Sequence, residues 1–181
     1  MANRISYWRA GPFMLALFFA STANGGPLAD RLKQRYADRA AETPAAGAVE
    51  LRYGGEALQT LDYWKAGKPN AALVVFVHGG GWKRGDKSNA TGAAKVTHLL
   101  GQGYAVASLN YRLVPDSTVE DQAADVASAI AYLRKDATSL GFDANRIVLM
   151  GHSAGAHLSA LVGTDPHYLK QSSLSINALS G

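Results

Sequence analysis

The chain has 181 residues, 48% of them hydrophobic and 18% charged, which supplies enough apolar material for one sizeable core. Its formal charge of +4 is too weak and too scattered to suggest nucleic-acid binding. The absence of cysteine excludes a disulfide framework, a thiolate metal site, a cysteine nucleophile and a lipidated cysteine, so the chemistry must rest on oxygen and nitrogen groups.

In chain order, the first stretch reads as an address. Arg4 and Arg9 make a short positive segment, Phe13 to Ala20 is an apolar run, and Ser21, Thr22 and Ala23 are small residues of the kind a signal peptidase reads. The apolar run falls far short of the roughly 20 residues that cross a bilayer. Residues 1–23 are therefore expected to be a signal peptide cleaved after Ala23, leaving a secreted or periplasmic chain of charge +2 with no stable membrane anchor. Residues 24–48 are expected to form a linker with a short helix over 28–42.

Residues 49–181 carry a regular pattern. VELRYG (49–54) and ALQTLDYW (57–64) flank the turn-like Gly54-Gly55 and predict an antiparallel start. LVVFVHG (73–79) is a continuous apolar run, as expected of a strand buried on both faces of a parallel sheet. Residues 86–101 predict a helix, 104–112 a buried strand, and 119–141 a long amphipathic helix with Val126, Ile130 and Leu133 on one side. Asp116 reads as a turn residue and Asp125 as a solvated or capping helix residue. RIVLM (146–150) predicts another buried strand, 154–162 a helix, and LSINALSG (174–181) a sixth strand. Strands alternating with helices specify an α/β domain: a mostly parallel sheet with helices on both faces, joined by right-handed crossovers.

Two motifs fall at carboxyl ends of strands. GHSAG, Gly151 to Gly155, lies between strand RIVLM and a helix. In a nucleophile elbow of this form the serine sits on a strained turn, and a Cβ on either flanking glycine would meet the neighbouring strand or helix. That makes Ser153 the candidate nucleophile, with the Ala154 amide and the positive end of the following helix aimed where a carbonyl oxygen would become negative. HGGGW, His78 to Trp82, follows strand LVVFV. Three consecutive glycines cost conformational entropy on folding and make sense where backbone N–H groups must face a ligand. Gly80 and Gly81, with Ala154, are assigned to an oxyanion hole. A phosphate-binding loop lacks its Lys-Ser/Thr ending here.

HGGGW, then YRL (Tyr111 to Leu113), then DANRIVLMGHSAGAHL (Asp143 to Leu158) together resemble the α/β-hydrolases of the hormone-sensitive-lipase-like and arylformamidase-like esterase group, over about residues 57–181. The resemblance implies an eight-stranded sheet, a small-molecule carboxylic-ester or amide substrate, a serine–aspartate–histidine triad and no cofactor. It also gives His78 the part of bracing the oxyanion loop beside Gly79, and leaves ester and amide preference open. A binding protein that keeps the scaffold without catalysis is the rival from another class; strained turns retained at Ser153 and the triple glycine argue against it.

In this fold the acid and then the histidine follow the serine on later loops. Only Asp165 and His167 lie in that order here, at the far end of the helix after Ser153, roughly 14 Å or more from the active face at about 1.5 Å per residue. The acid and histidine are thus expected beyond Gly181, and the domain is expected to be truncated after about its sixth strand. Of the other histidines, His152 is a pocket candidate beside the serine and His157 is expected in the core behind it. Trp82 is expected either to wall the acyl pocket or merely to pack. No HExxH or similar spacing points to a metal.

Overall fold

A computed structural model describes residues 45–180. The expected signal segment (1–23), the helix over 28–42 and nearly all of the 24–48 linker lie outside the described residues.

Continuous apolar stretches become the middle of the sheet. Strands β1 (Val49–Arg52), β2 (Thr60–Trp64), β3 (Ala71–Val77), β4 (Ala105–Leu109) and β5 (Phe142–Gly151) lie in the order β1-β2-β4-β3-β5. The β1–β2 and β2–β4 pairs are antiparallel, whereas β3 runs parallel to both β4 and β5. Every residue of β4 is buried, which a strand between two neighbours and under two helical layers requires.

Helices cover both faces. On one, Leu73, Val75, Val77, Ala107, Leu109 and Ile147 pack with Val126, Ile130 and Leu133 of α2 (Val119–Lys135) and Leu158 and Val162 of α4 (Ala154–Thr164). On the other, Trp64, Val74, Phe76 and Val106 meet Val96 of α1 (Lys87–Gly101). Each fully buried aliphatic side chain of this kind contributes about 1.5–3 kcal/mol of transfer free energy, and successive residues of β3 supply the two cores in turn. Helix α2 starts in a capping box, Thr118 and Asp121 each bonding the other's backbone N–H, and ends in Arg134 and Lys135 at its negative pole.

Three expectations need correction. The helix predicted over 119–141 stops at Lys135; Asp136 leaves helical geometry, a short α3 (Ala137–Leu140) follows, and Gly141 ends it in the left-handed conformation. The strand predicted over 146–150 begins four residues earlier, with a register shift between Ala71 and Leu73. Residues 174–180 are not a strand. After the short α5 (Pro166–Gln171) the chain turns through Ser173 at φ 58° and forms a 3₁₀ turn at Ile176–Ala178. The cause is where its polar groups bond: Arg134 donates to the Ala178 carbonyl, and only at Ser180 does a backbone N–H reach β5, donating to Ile147 at 2.8 Å. Among the described residues the sheet therefore has five strands, and no described helix is long and apolar enough to cross a membrane.

Candidate active site

The carboxyl ends of β3 and β5 lie side by side, with Val77 opposite Gly151, so the two loops that follow them meet. Ser153 stands between β5 and α4 at φ 55° and ψ −121°, a conformation L-residues adopt only where the surroundings impose it. The glycines around it explain how. A Cβ on Gly155 would lie 2.1 Å from the Val77 carbonyl oxygen, and one on Gly151 would lie 2.3 Å from that of Gly155; helix, elbow and strand are packed backbone to backbone. Ser153 itself is exposed. The first turn of α4 begins at Ala154, which is buried, and its positive end lies against the serine.

The glycine loop lies directly on this elbow. A Cβ on Gly79 would stand 3.1 Å from the Ser153 Cβ and 2.7 Å from the His152 carbonyl oxygen. Gly80 adopts φ 136°, and a side chain there would also overlap the Arg84 carbonyl, so the first two glycines of the three are steric demands of the turn. Gly81 and Trp82 follow at φ 61° each. Gly79 thus lies against Ser153, with Ala154 next in the chain to the serine and Gly80 and Gly81 next in the chain to Gly79.

His78 is buried under the loop. Its Nδ1–H donates to the Gly79 carbonyl at 2.8 Å, and its ring stacks on Tyr111 at 4.3 Å between centroids. The Tyr111 hydroxyl donates to the His78 carbonyl at 2.8 Å. Burial pulls the imidazole below its ordinary value of 6.5, against the pull of the Gly79 carbonyl and Asp86, so it is neutral at pH 7. Below pH 6.5 the unfolded chain takes up a proton that the folded one refuses, and stability falls as pH falls. Burial alone would raise the Asp86 carboxyl, but hydrogen bonds from Ser88 and Asn110 hold it below its ordinary value, adding a second loss in more acid solution. Thermal melts between pH 8 and pH 5 are expected to show the melting temperature falling below about 6.5, and His78→Gln to flatten that limb; parallel curves would contradict the assignment.

His152 is exposed beside Gly79, consistent with its candidacy for the pocket. Two readings are corrected. His157 is not in the core: it is exposed, one turn after the serine, and meets Trp82 edge-on at 5.5 Å. A core place behind the serine would need its ring turned toward β3, and that side of α4 is filled by Gly155, Leu158 and Val162. Asp125 is neither solvated nor capping. It is 1% exposed and accepts hydrogen bonds from the Arg112 backbone N–H, from the Arg112 guanidinium at 2.8 Å and from Gln59 at 2.8 Å, because α2 places it against the end of β4 and the start of β2. Trp82 is half-buried, packed on the core at one side and on His157 at the other.

Asp165 and His167 stay away from the serine. Asp165 caps α5 by accepting from the His167 backbone N–H, and the His167 ring bonds Gln171; the eleven residues of α4 separate them from the elbow, about 16 Å along the helix axis. Among the described residues, no three histidine, aspartate or glutamate side chains gather as a metal site would need.

The sequence model of the BD-FAE family matches residues 61–177, the span that holds both loops. The chain belongs to the BD-FAE family. It is similar to esterase LipC of Mycobacterium tuberculosis, 36% identical over 158 residues that cover 76% of this chain and 39% of LipC. Among solved structures it is similar to Lactobacillus rhamnosis esterase B in a tributyrin phosphonate complex, with a TM-score of 0.63 at 28% identity, covering 82% of this chain and 51% of that one. It also resembles Thermogutta terrifontis esterase 2 phosphorylated by paraoxon, with a TM-score of 0.58 at 29% identity, covering 64% and 47%. The fold is that of the α/β-hydrolase esterases, and the chain spans about two fifths of the length of LipC.

Proposed function

We propose that this BD-FAE chain carries the nucleophile and oxyanion half of a serine carboxylesterase. The observation that carries the reading is the strained, exposed Ser153 with the Gly79–Gly81 loop packed against it. In the proposed reaction the Ser153 Oγ attacks the ester carbonyl, and its proton passes to a histidine base. The carbonyl oxygen, now negative, accepts from the amides of Gly80, Gly81 and Ala154. The alcohol leaves with a proton, and water then attacks the acyl-serine to release the acid. The phosphonate- and paraoxon-treated esterases among the similar structures support a serine that reacts with acyl-like electrophiles.

The base and its acid partner belong, in this reading, to chain beyond Gly181; the separation of Asp165 and His167 from the elbow and the share of LipC that is spanned support this. The test is hydrolysis of p-nitrophenyl acetate and butyrate, alongside a formanilide, by the protein from its complete gene. Ester turnover well above formanilide turnover is expected. Faster formanilide turnover would make the enzyme an amidase, and no turnover of either would leave the scaffold as a binding protein.

We also propose export, supported by the charged, apolar and small-residue succession over residues 1–23. Mass spectrometry of protein recovered from the producing cell is expected to find Asn24 at the N-terminus; an intact Met1 in a cytoplasmic fraction would overturn export.

A further inference from the structure

The glycine loop leaves the sheet at His78 and returns to α1 at Lys87, and its two ends are held by the two consecutive residues that follow β4, the returning end also by the Ser108 hydroxyl, which donates to the Lys87 carbonyl at 2.7 Å. Tyr111 holds the outgoing end through His78, by the stacked ring and the hydroxyl bond to its carbonyl. Asn110, 4% exposed, holds the returning end. Its Nδ2 donates to Asp86 Oδ2 at 2.9 Å, and its Oδ1 accepts from the Lys87 backbone N–H at 2.6 Å. Its own backbone is fixed as well: the carbonyl accepts from the Tyr53 hydroxyl at 2.6 Å, and the N–H donates to Thr60 at 2.9 Å. Between the ends the loop closes on itself, since a Cβ on Gly85 would lie 2.3 Å from the Gly79 carbonyl oxygen.

We infer that Asn110 is a positioning residue for the reaction: by clasping Asp86 and Lys87 beside the site where Tyr111 holds His78, it fixes the span of the loop and so the placement of the Gly80 and Gly81 amides over Ser153. The inference rests on the esterase reading for its kinetic consequence, though the clasp itself is a matter of structure. Asn is the required residue because one side chain must donate to a carboxylate and accept from an amide at once, which aspartate, leucine or serine does not reproduce in this geometry. Asp86 has its other oxygen engaged by the Ser88 backbone N–H and hydroxyl, so it presents only an acceptor to Asn110.

That polarity makes the inference testable by exchange of partners. Asn110→Asp sets two acceptors face to face, and Asp86→Asn sets two donors face to face while keeping a good helix cap. The double substitution restores one donor and one acceptor with the direction reversed. In the protein from the complete gene, each single substitution is expected to speed amide hydrogen exchange in the 79–86 segment by about tenfold or more while β3 and β4 exchange as before. Each is expected to lower kcat on p-nitrophenyl acetate by about tenfold or more with KM within about twofold. The double substitution is expected to recover both. Loop exchange at the wild-type rate in the single variants, equal loss in kcat and KM, or a double variant no better than the worse single would overturn the clasp. If a single variant does not fold, the double variant decides: folded with wild-type loop exchange it supports the clasp, and unfolded it overturns it. Wild-type protein that turns over no ester refutes the esterase reading alone, because the exchange measurement still judges the clasp.

Discussion

Replacing Ser153 with alanine in the protein from its complete gene is expected to lower kcat for ester hydrolysis on the order of a million-fold, the largest effect of any single substitution here. The hydroxyl that would form the proposed acyl-enzyme is then gone, and what is expected to survive is the acceleration of about 1,000- to 10,000-fold over water that an oxyanion hole and binding supply without a triad. The fold is expected to persist, because the Ser153 side chain is exposed and makes no cap bond to α4. Stopped-flow and steady-state assays with p-nitrophenyl butyrate, set against thermal melts of both proteins, check the two halves of this expectation. Turnover within tenfold of wild type would mean that another group is the nucleophile.

The largest expected loss of stability lies at Arg112. Its guanidinium meets a carboxylate whose side chain is only 2% exposed, while the arginine side chain keeps 32% of its own exposure. The two partners are therefore unequal. Arg112→Met strands the buried Asp125 charge with Gln59 and one backbone N–H, and is expected to cost about 3 kcal/mol, the lower end of the range for breaking a buried pair because the arginine is partly solvated. For a chain of this size that is a fall in melting temperature of about 10 °C. Asp125→Asn leaves the arginine free to turn toward water and is expected to cost less. Chemical denaturation of both variants gives the order directly; equal losses, or a larger loss in the asparagine variant, would show that the arginine and not the carboxylate bears the cost of separation.

That ion pair also marks where sequence reasoning ran short. The buried strands were legible because LVVFV is a continuous apolar run and AVASL is broken only by Ser108, and β3 and β4 form there. The elbow and the glycine loop were legible because GHSAG and HGGGW carry steric demands that residue identity alone expresses. Asp125 was misread because helical spacing gives a direction around α2 but not which strand end lies across from it. A signal was present: Gln122, Asp125, Val126, Ala129 and Leu133 form one stripe of buried residues, and a polar pair inside such a stripe asks for partners. Arg112, placed just past a buried strand, was one. His157 was misplaced for a related reason. One helical turn from Ser153 is the near side of α4 as readily as the far one, and only the packing of Gly155 against Val77 decides which. The tail over 174–180 misled because its alternation suits a strand, whereas its hydrogen bonds reach β5 only at Ser180. Asn110 was passed over as one letter in a strand, since its importance lies in two bonds to residues more than 20 positions away.

The account stands on Ser153 being an activated nucleophile beside the glycine loop, and covalent labelling tests that most directly. The protein from the complete gene is treated with an alkyl fluorophosphonate, digested and mapped by tandem mass spectrometry. The account predicts a single adduct on Ser153, formed within minutes and absent from Ser153→Ala. An adduct on another serine, or no adduct while esters are still hydrolysed, would contradict it.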